Sequence, residues 1–134
     1  MNKIIIHSDG GARGNPGPAG IGAVLNADDG IVLAEISRYI GETTNNQAEY
    51  KALIAGLEKA VELKAAEVEC YLDSELVVKQ LNREYKVKNA ELAPLFLKVH
   101  NLSISFKKMT FIHVRREQNK VADRLANEAM DRGE

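Results

Sequence analysis

Cysteine is nearly missing from this sequence, with Cys70 alone among 134 residues. A lone thiol excludes an internal disulfide framework and a cysteine-rich zinc site, and it fits a reducing, cytoplasmic setting. Long hydrophobic runs are missing too. No apolar stretch approaches the roughly 20 residues needed to cross a bilayer, so no membrane partner is expected. The opening Met1-Asn2-Lys3-Ile4-Ile5-Ile6 is too short an apolar stretch for a signal peptide, and charge returns at Asp9. It reads as the start of a strand. Tryptophan is absent, and so is a strong charge of either sign: 18 Lys/Arg oppose 19 Asp/Glu, leaving a net charge of -1. Nucleic-acid binders often carry a basic excess, so the total argues against one.

What is present is ordinary for a globular domain, with 45% hydrophobic and 28% charged residues. The charge is unevenly placed. Residues 79–124 hold 11 basic residues against 4 acidic. Such a stretch permits a polyanion partner, and solvated helix faces would give the same count.

Lys3–Ser8 is an apolar, β-branched run suited to a buried strand. Gly10-Gly11-Ala12-Arg13-Gly14-Asn15-Pro16-Gly17-Pro18 is turn chemistry throughout. Ile21–Leu25 and Ile31–Ala34, around the turn Asp28-Asp29-Gly30, read as a hairpin that continues a meander. The period then changes: from Gln47 to Lys64, Leu53, Ile54, Leu57, Ala60 and Val61 recur at helical spacing. Val68–Leu72 reads as a strand, and Ser74–Asn82 as a helix with Leu76, Val77 and Leu81 inward. Leu92–Leu102 is a helix that tolerates Pro94 only in its first turn. Met109–Val114 is a last strand and Asn119–Asp131 a last amphipathic helix. The expected architecture is an α/β fold: one mixed five-stranded sheet, a three-strand antiparallel meander plus two parallel strands, with helices on both faces. No linker or repeat divides the chain, so residues 1–134 are expected to form a single domain.

Four carboxylates fall at element boundaries. Asp9 ends the first strand, Glu49 opens the long helix, Asp73 ends the fourth strand and Asp123 lies in the first turn of the last helix. Each has an ordinary explanation. Asp9-Gly10-Gly11 suits a turn, Glu49 three residues after Asn46 suits a capping arrangement, Asp73 suits a cap before Ser74, and Asp123 suits a helix dipole. Carboxylates crowded together repel one another unless a cation intervenes, and hard divalent ions with oxygen ligands meet that need.

The surrounding residues decide between these readings. Ser8-Asp9-Gly10-Gly11-Ala12-Arg13-Gly14-Asn15-Pro16-Gly17-Pro18-Ala19-Gly20 resembles the opening motif of type I ribonuclease H. Thr43-Thr44-Asn45-Asn46-Gln47-Ala48-Glu49 resembles the second motif, Leu72-Asp73-Ser74-Glu75-Leu76-Val77-Val78 the third, and Asn119-Lys120-Val121-Ala122-Asp123-Arg124-Leu125-Ala126 the fourth. One such motif is weak evidence; four in the family's order, over nearly the whole chain, are strong.

The resemblance implies a ribonuclease H-like fold and an endonuclease that hydrolyses the RNA strand of RNA–DNA hybrids, leaving 5′-phosphate and 3′-hydroxyl ends. It implies two Mg2+ ions, with Mn2+ as a substitute: Asp9, Glu49 and Asp73 hold one, Asp9 and Asp123 the other. It places nucleic-acid contacts at Gly10, Gly11, Arg13, Asn15, Asn45, Asn46 and Glu75, and a DNA-phosphate pocket at Thr44 and Asn89, beside Lys88. Glu75 stands where several relatives carry Gln, so it either accepts from a 2′-hydroxyl or alters metal binding. Many relatives insert a basic, tryptophan-containing helix after the third motif. Here Leu81–Asn89 leaves no room for it, which should weaken affinity and flatten its salt dependence. A monomer is expected.

Many relatives also place a histidine on a loop before the last Asp. His113 has the right separation from Asp123, but Thr110–Val114 alternates as continuous strand. As in a compact subgroup with a similar His-Val-x-Arg-Glu motif, Arg115 or Arg116 is the better occupant. His7 reads as a packing residue and His100 as a surface or helix-packing one. No Cys/His cluster offers a zinc site. Two alternatives stand beside the main reading. The same chemistry could extend to double-stranded RNA or a DNA junction, although integrases and junction resolvases space their acids differently. A non-catalytic hybrid-binding module would be expected to have lost a carboxylate, and all four are present.

Overall fold

Alternating burial lays out the first strand: Ile4 and Ile6 are buried on one face of β1 (Lys3–Ala12) while Ile5 and His7 lie on the other. β2 (Gly17–Ala27) and β3 (Val32–Thr43) complete an antiparallel meander. After α1 (Asn45–Glu62), β4 (Glu67–Leu72) returns parallel to β1. α2 (Glu75–Leu81) and α3 (Ala93–Ser103) lead to β5 (Lys108–His113), parallel to β4, and α4 (Lys120–Arg132) closes the chain. The computed structural model describes residues 2–134, and its strand order is β3-β2-β1-β4-β5.

α1 covers one face of the sheet, where Ile4, Ile6, Leu25, Leu53, Leu57, Val68 and Leu72 form the main core. α4 covers the other, packing on β1, β2 and β3. This is the mixed sheet with helices on both faces that the sequence implies. Tyr50, fully buried on α1, donates its hydroxyl to Gln80 Oε1 at 2.8 Å and so ties α1 to α2 without leaving a polar atom unpaired. No helix among the described residues is long and apolar enough to cross a membrane.

Several expectations shift. The glycine-rich stretch is not turn throughout: Gly10, Gly11 and Ala12 stay in β1, paired with Ile21, Gly20 and Ala19, and the turn is confined to residues 13–16. Asp9 therefore lies within a strand rather than at its end. β3 runs on to Thr43, well past Ala34. Leu76 is not inward; it is 40% exposed, and Val77, Val78 and Leu81 face the core. The caps also move. Thr44 caps α1 in a capping box with Gln47, and Ser74 caps α2, so Glu49 and Asp73 are free of the capping roles that would have explained them. Pro94 sits in the first turn of α3, as expected.

Candidate active site

The β1/β4 register ends at the pair Ser8–Leu72, so Asp9 and Asp73 emerge side by side beyond the carboxyl end of the parallel pair. Crevices at such sheet ends are where α/β folds gather ligand-binding groups. Two glycine contacts bring the helices in. Gly10, lacking a side chain, lets the α1 backbone at Ala48 press against β1, and its N–H donates to Glu49 Oε1 at 3.2 Å. On the opposite face Gly22 admits the α4 backbone at Ala122, one residue before Asp123. Asn119, buried just before α4, donates from Nδ2 to the Ser8 carbonyl at 2.9 Å, strapping the helix start beside Asp9.

Carboxylate oxygens of Asp9, Glu49 and Asp73 consequently lie within 4.8 Å of one another. Asp123 lines the same cavity, of about 460 Å³, near enough for its charge to act on Asp9. Asp9 and Glu49 are only 8% and 7% exposed. Burial pushes the Asp9 carboxyl up to about 7, the charges of Asp73 and Asp123 add to the rise, and a hydrogen bond with Glu49 partly opposes it. Burial also raises Glu49 well above the usual carboxylate range, with Asp9 and Asp73 adding to it and the Gly10 N–H pulling the other way. Glu49 Oε2 is buried without a hydrogen-bond partner, a costly state for a carboxylate oxygen. Three convergent hard oxygens, one of them orphaned, fit a divalent cation.

The repulsion should be measurable without metal. Asp9 binds its proton more tightly folded than unfolded, so between about pH 4 and pH 7 the folded chain holds more protons, and stability falls as pH rises through that window. Thermal melts in chelator are expected to show a loss of about 2–4 kcal/mol from pH 5 to pH 8. Divalent cation should restore it at pH 8, and a flat profile in chelator would contradict the buried cluster.

Of the other residues singled out in the sequence, Gly10, Gly11, Arg13, Asn45, Asn46 and Arg116 line the carboxylate cavity. Asn15, Thr44, Glu75, Lys88, Asn89, His113 and Arg115 do not. Several are engaged within the chain. Asn45 Oδ1 accepts from the Ala12 N–H at 2.7 Å, Asn15 Oδ1 from the Asn45 N–H at 3.0 Å, and Asn89 Oδ1 from the Glu91 N–H at 2.7 Å. Glu75 is paired with Lys79 at 3.1 Å, and Arg13 with Asp131 at 2.6 Å. His113 ends β5 and is exposed, whereas Arg116 Nη2 lies 3.4 Å from Asp123 Oδ1, so the arginine and not the histidine borders the carboxylates. His7 stacks on Tyr71 at 4.9 Å, a packing role, and His100 contacts Arg83. Sequence reasoning missed Asn127, which lines the cavity and donates to Asp123 Oδ1 at 3.2 Å. Its only signal was the four-residue spacing that stacks it over Asp123 on a helix.

Comparison with known proteins gives the site a context. Residues 7–129 match the family model described as reverse transcriptase-like. A bifunctional protein of Mycobacterium tuberculosis is 50% identical over 130 residues, covering 96% of this chain and 36% of its own length. This chain therefore spans only about a third of that relative. A ribonuclease H of Lachnoclostridium phytofermentans is 35% identical, covering 98% of this chain and 94% of its own. Among solved structures, LC11-RNase H1 in complex with an RNA/DNA hybrid superposes with a TM-score of 0.92 at 48% identity, covering 96% of this chain and 97% of the other.

Proposed function

Since this chain belongs to the type I ribonuclease H family, we propose that it is an endonuclease that hydrolyses the RNA strand of RNA–DNA hybrids at the carboxylate cluster. The observation that carries the reading is the buried convergence of Asp9, Glu49 and Asp73, with Asp123 on the same cavity. A relative of near-identical fold is a hybrid-bound ribonuclease H, which supports the substrate class. On this reading residues 1–134 act as one catalytic domain and need no second copy. A cytoplasmic setting belongs to the same reading, and the free, buried Cys70 is compatible with it.

Asp9, Glu49 and Asp73 would hold one divalent cation, and Asp9 with Asp123 a second; magnesium is the expected ion and manganese a substitute. When bound, these ions supply the Lewis acidity that activates water and stabilises the leaving oxygen of a phosphodiester, giving 5′-phosphate and 3′-hydroxyl ends. The chain's own part is positioning. β1, β4, α1 and α4 fix four carboxylates before substrate arrives, so little reorganisation is needed during reaction. Gly10 and Gly11 offer backbone to close approach, and Arg13, Asn45 and Asn46 line the cavity for the nucleic-acid backbone. Asn15, Thr44, Glu75, Lys88 and Asn89 would take part farther along the duplex. Arg116, 78% exposed at its side chain, can swing from Asp123 to a phosphate, and as a permanent cation it steadies charge rather than shuttling protons.

Double-stranded RNA is the second substrate to consider, because only residues 82–92 connect α2 to α3, leaving no basic insert to grip a DNA strand. Labelled hybrid, double-stranded RNA and double-stranded DNA, each with Mg2+ or Mn2+, test both readings. Cleavage of the hybrid's RNA strand is expected to exceed that of double-stranded RNA. The reverse order would overturn the substrate assignment. In the same assay Arg116→Ala should lose about 10-fold in rate and His113→Ala less than about 2-fold, since one hydrogen bond to a charged group contributes about 1.5 kcal/mol. A large loss at His113 alone would return the auxiliary role to the histidine.

A further inference from the structure

Asp123 differs from the other three carboxylates in how it is held. It projects from a helix across the cavity, its side chain is 30% exposed, and it lies outside the tight triad. Two side chains donate to the same oxygen, Oδ1: Arg116 Nη2 at 3.4 Å and Asn127 Nδ2 at 3.2 Å. The two donors are not equivalent. Arg116 is long, exposed and at the limit of hydrogen-bonding distance. Asn127 is half-buried one turn farther along α4, and its Nδ2 also donates to the Asp123 carbonyl at 2.9 Å, which locks the amide in place. A neutral amide orients a carboxylate without cancelling its charge, so Asp123 keeps its affinity for a cation.

We propose that Asn127 is a positioning residue: it fixes Asp123 Oδ1 and thereby leaves the other oxygen presented toward Asp9 and the cation these two carboxylates share. The inference rests on the reading of the cluster as a two-cation site. Amides that hold metal-ligating carboxylates typically affect cation affinity about 10- to 100-fold, and a half-buried position puts Asn127 at the lower end.

Mn2+ titration calorimetry on the free protein, with Asp123→Asn beside wild type, first defines the Asp123-dependent binding step. Asn127→Leu, which keeps the branched shape and favours the helix, is expected to weaken that step about 10-fold. In cleavage assays it should raise the half-saturating Mg2+ concentration by the same factor. At saturating Mg2+, kcat should return to within about twofold of wild type, with KM for hybrid unchanged, and Asn127→Gln should recover part of the affinity. A purely structural residue would instead lower kcat at every Mg2+ concentration. Should Asn127→Leu misfold by circular dichroism, Asn127→Ala carries the same test. Unchanged Mn2+ affinity in Asn127→Leu, or a rate loss that Mg2+ does not restore, would overturn the proposal. If Asp123→Asn itself binds Mn2+ as wild type does, the two-cation reading fails; if only Asn127→Leu does, that reading stands and this inference alone falls.

Discussion

Asp9→Asn is expected to reduce RNA-strand cleavage by about 10³-fold or more, the loss that follows when charge stabilisation at the reacting phosphate is removed. Asp9 sits in the middle of the cluster: it meets Glu49, Asp73 and Asp123, so both proposed cation positions depend on it. Asn keeps the shape but offers one neutral oxygen. The same change should stabilise the metal-free protein at pH 8 by about 2 kcal/mol, because the buried charge that opposes folding above pH 7 is gone. In a 134-residue domain that is a rise of about 6 °C in Tm. Activity and stability thus move in opposite directions, which a simple folding defect cannot imitate. Thermal melts with and without Mn2+ beside cleavage assays make the check: wild type should gain stability from Mn2+ and Asp9→Asn should gain little. Cleavage that survives Asp9→Asn would reject the carboxylate site.

That opposition explains why the site was legible in the sequence at all. Four acids converge, and the two that are buried at a cost to the fold, Asp9 and Glu49, stand where local structure does not require them. Thr44 and Ser74 do the capping otherwise open to Glu49 and Asp73, and no turn begins at Asp9. Their motif contexts, in order, were enough to group them, and strand alternation through Thr110–His113 was enough to keep His113 off the loop. What was not legible depended on tertiary contact. Gly10-Gly11-Ala12 has the local chemistry of a turn; it is strand because β2 pairs with it and because helices approach on both faces. Leu76 fits a helical apolar pattern, yet α2 is short and its neighbours Val77 and Val78 take the core positions. An Asn on an amphipathic helix says nothing by itself, so Asn127 became visible only when Asp123 was placed beside it.

Gly10→Ala should damage both folding and activity. A Cβ built at Gly10 falls 2.2 Å from the Ala48 carbonyl oxygen, 2.3 Å from its carbon and 2.7 Å from the Glu49 nitrogen, all backbone atoms that cannot rotate away. Either β1 or the first turns of α1 must move. Overpacking of this kind costs about 3 kcal/mol. The displaced segment carries Glu49, whose Oε1 would lose the Gly10 N–H, so the rate should drop about 100-fold even where the protein remains folded. Gly11→Ala is the internal control. Its Cβ meets nothing closer than Met130 Cε at 3.7 Å, an ordinary contact on the α4 face, so stability should change by less than about 1 kcal/mol. Gly11 lines the open cavity, and an added methyl there should appear in KM for hybrid rather than in folding. Urea denaturation and steady-state cleavage of both variants separate the two glycines. Equal stability of Gly10→Ala and Gly11→Ala would mean that α1 is not seated on β1 at Gly10, and the placement of Glu49 would fall with it. If the two differ as expected, the double glycine serves two purposes: Gly10 for helix packing that delivers a carboxylate, Gly11 for access of the nucleic-acid backbone.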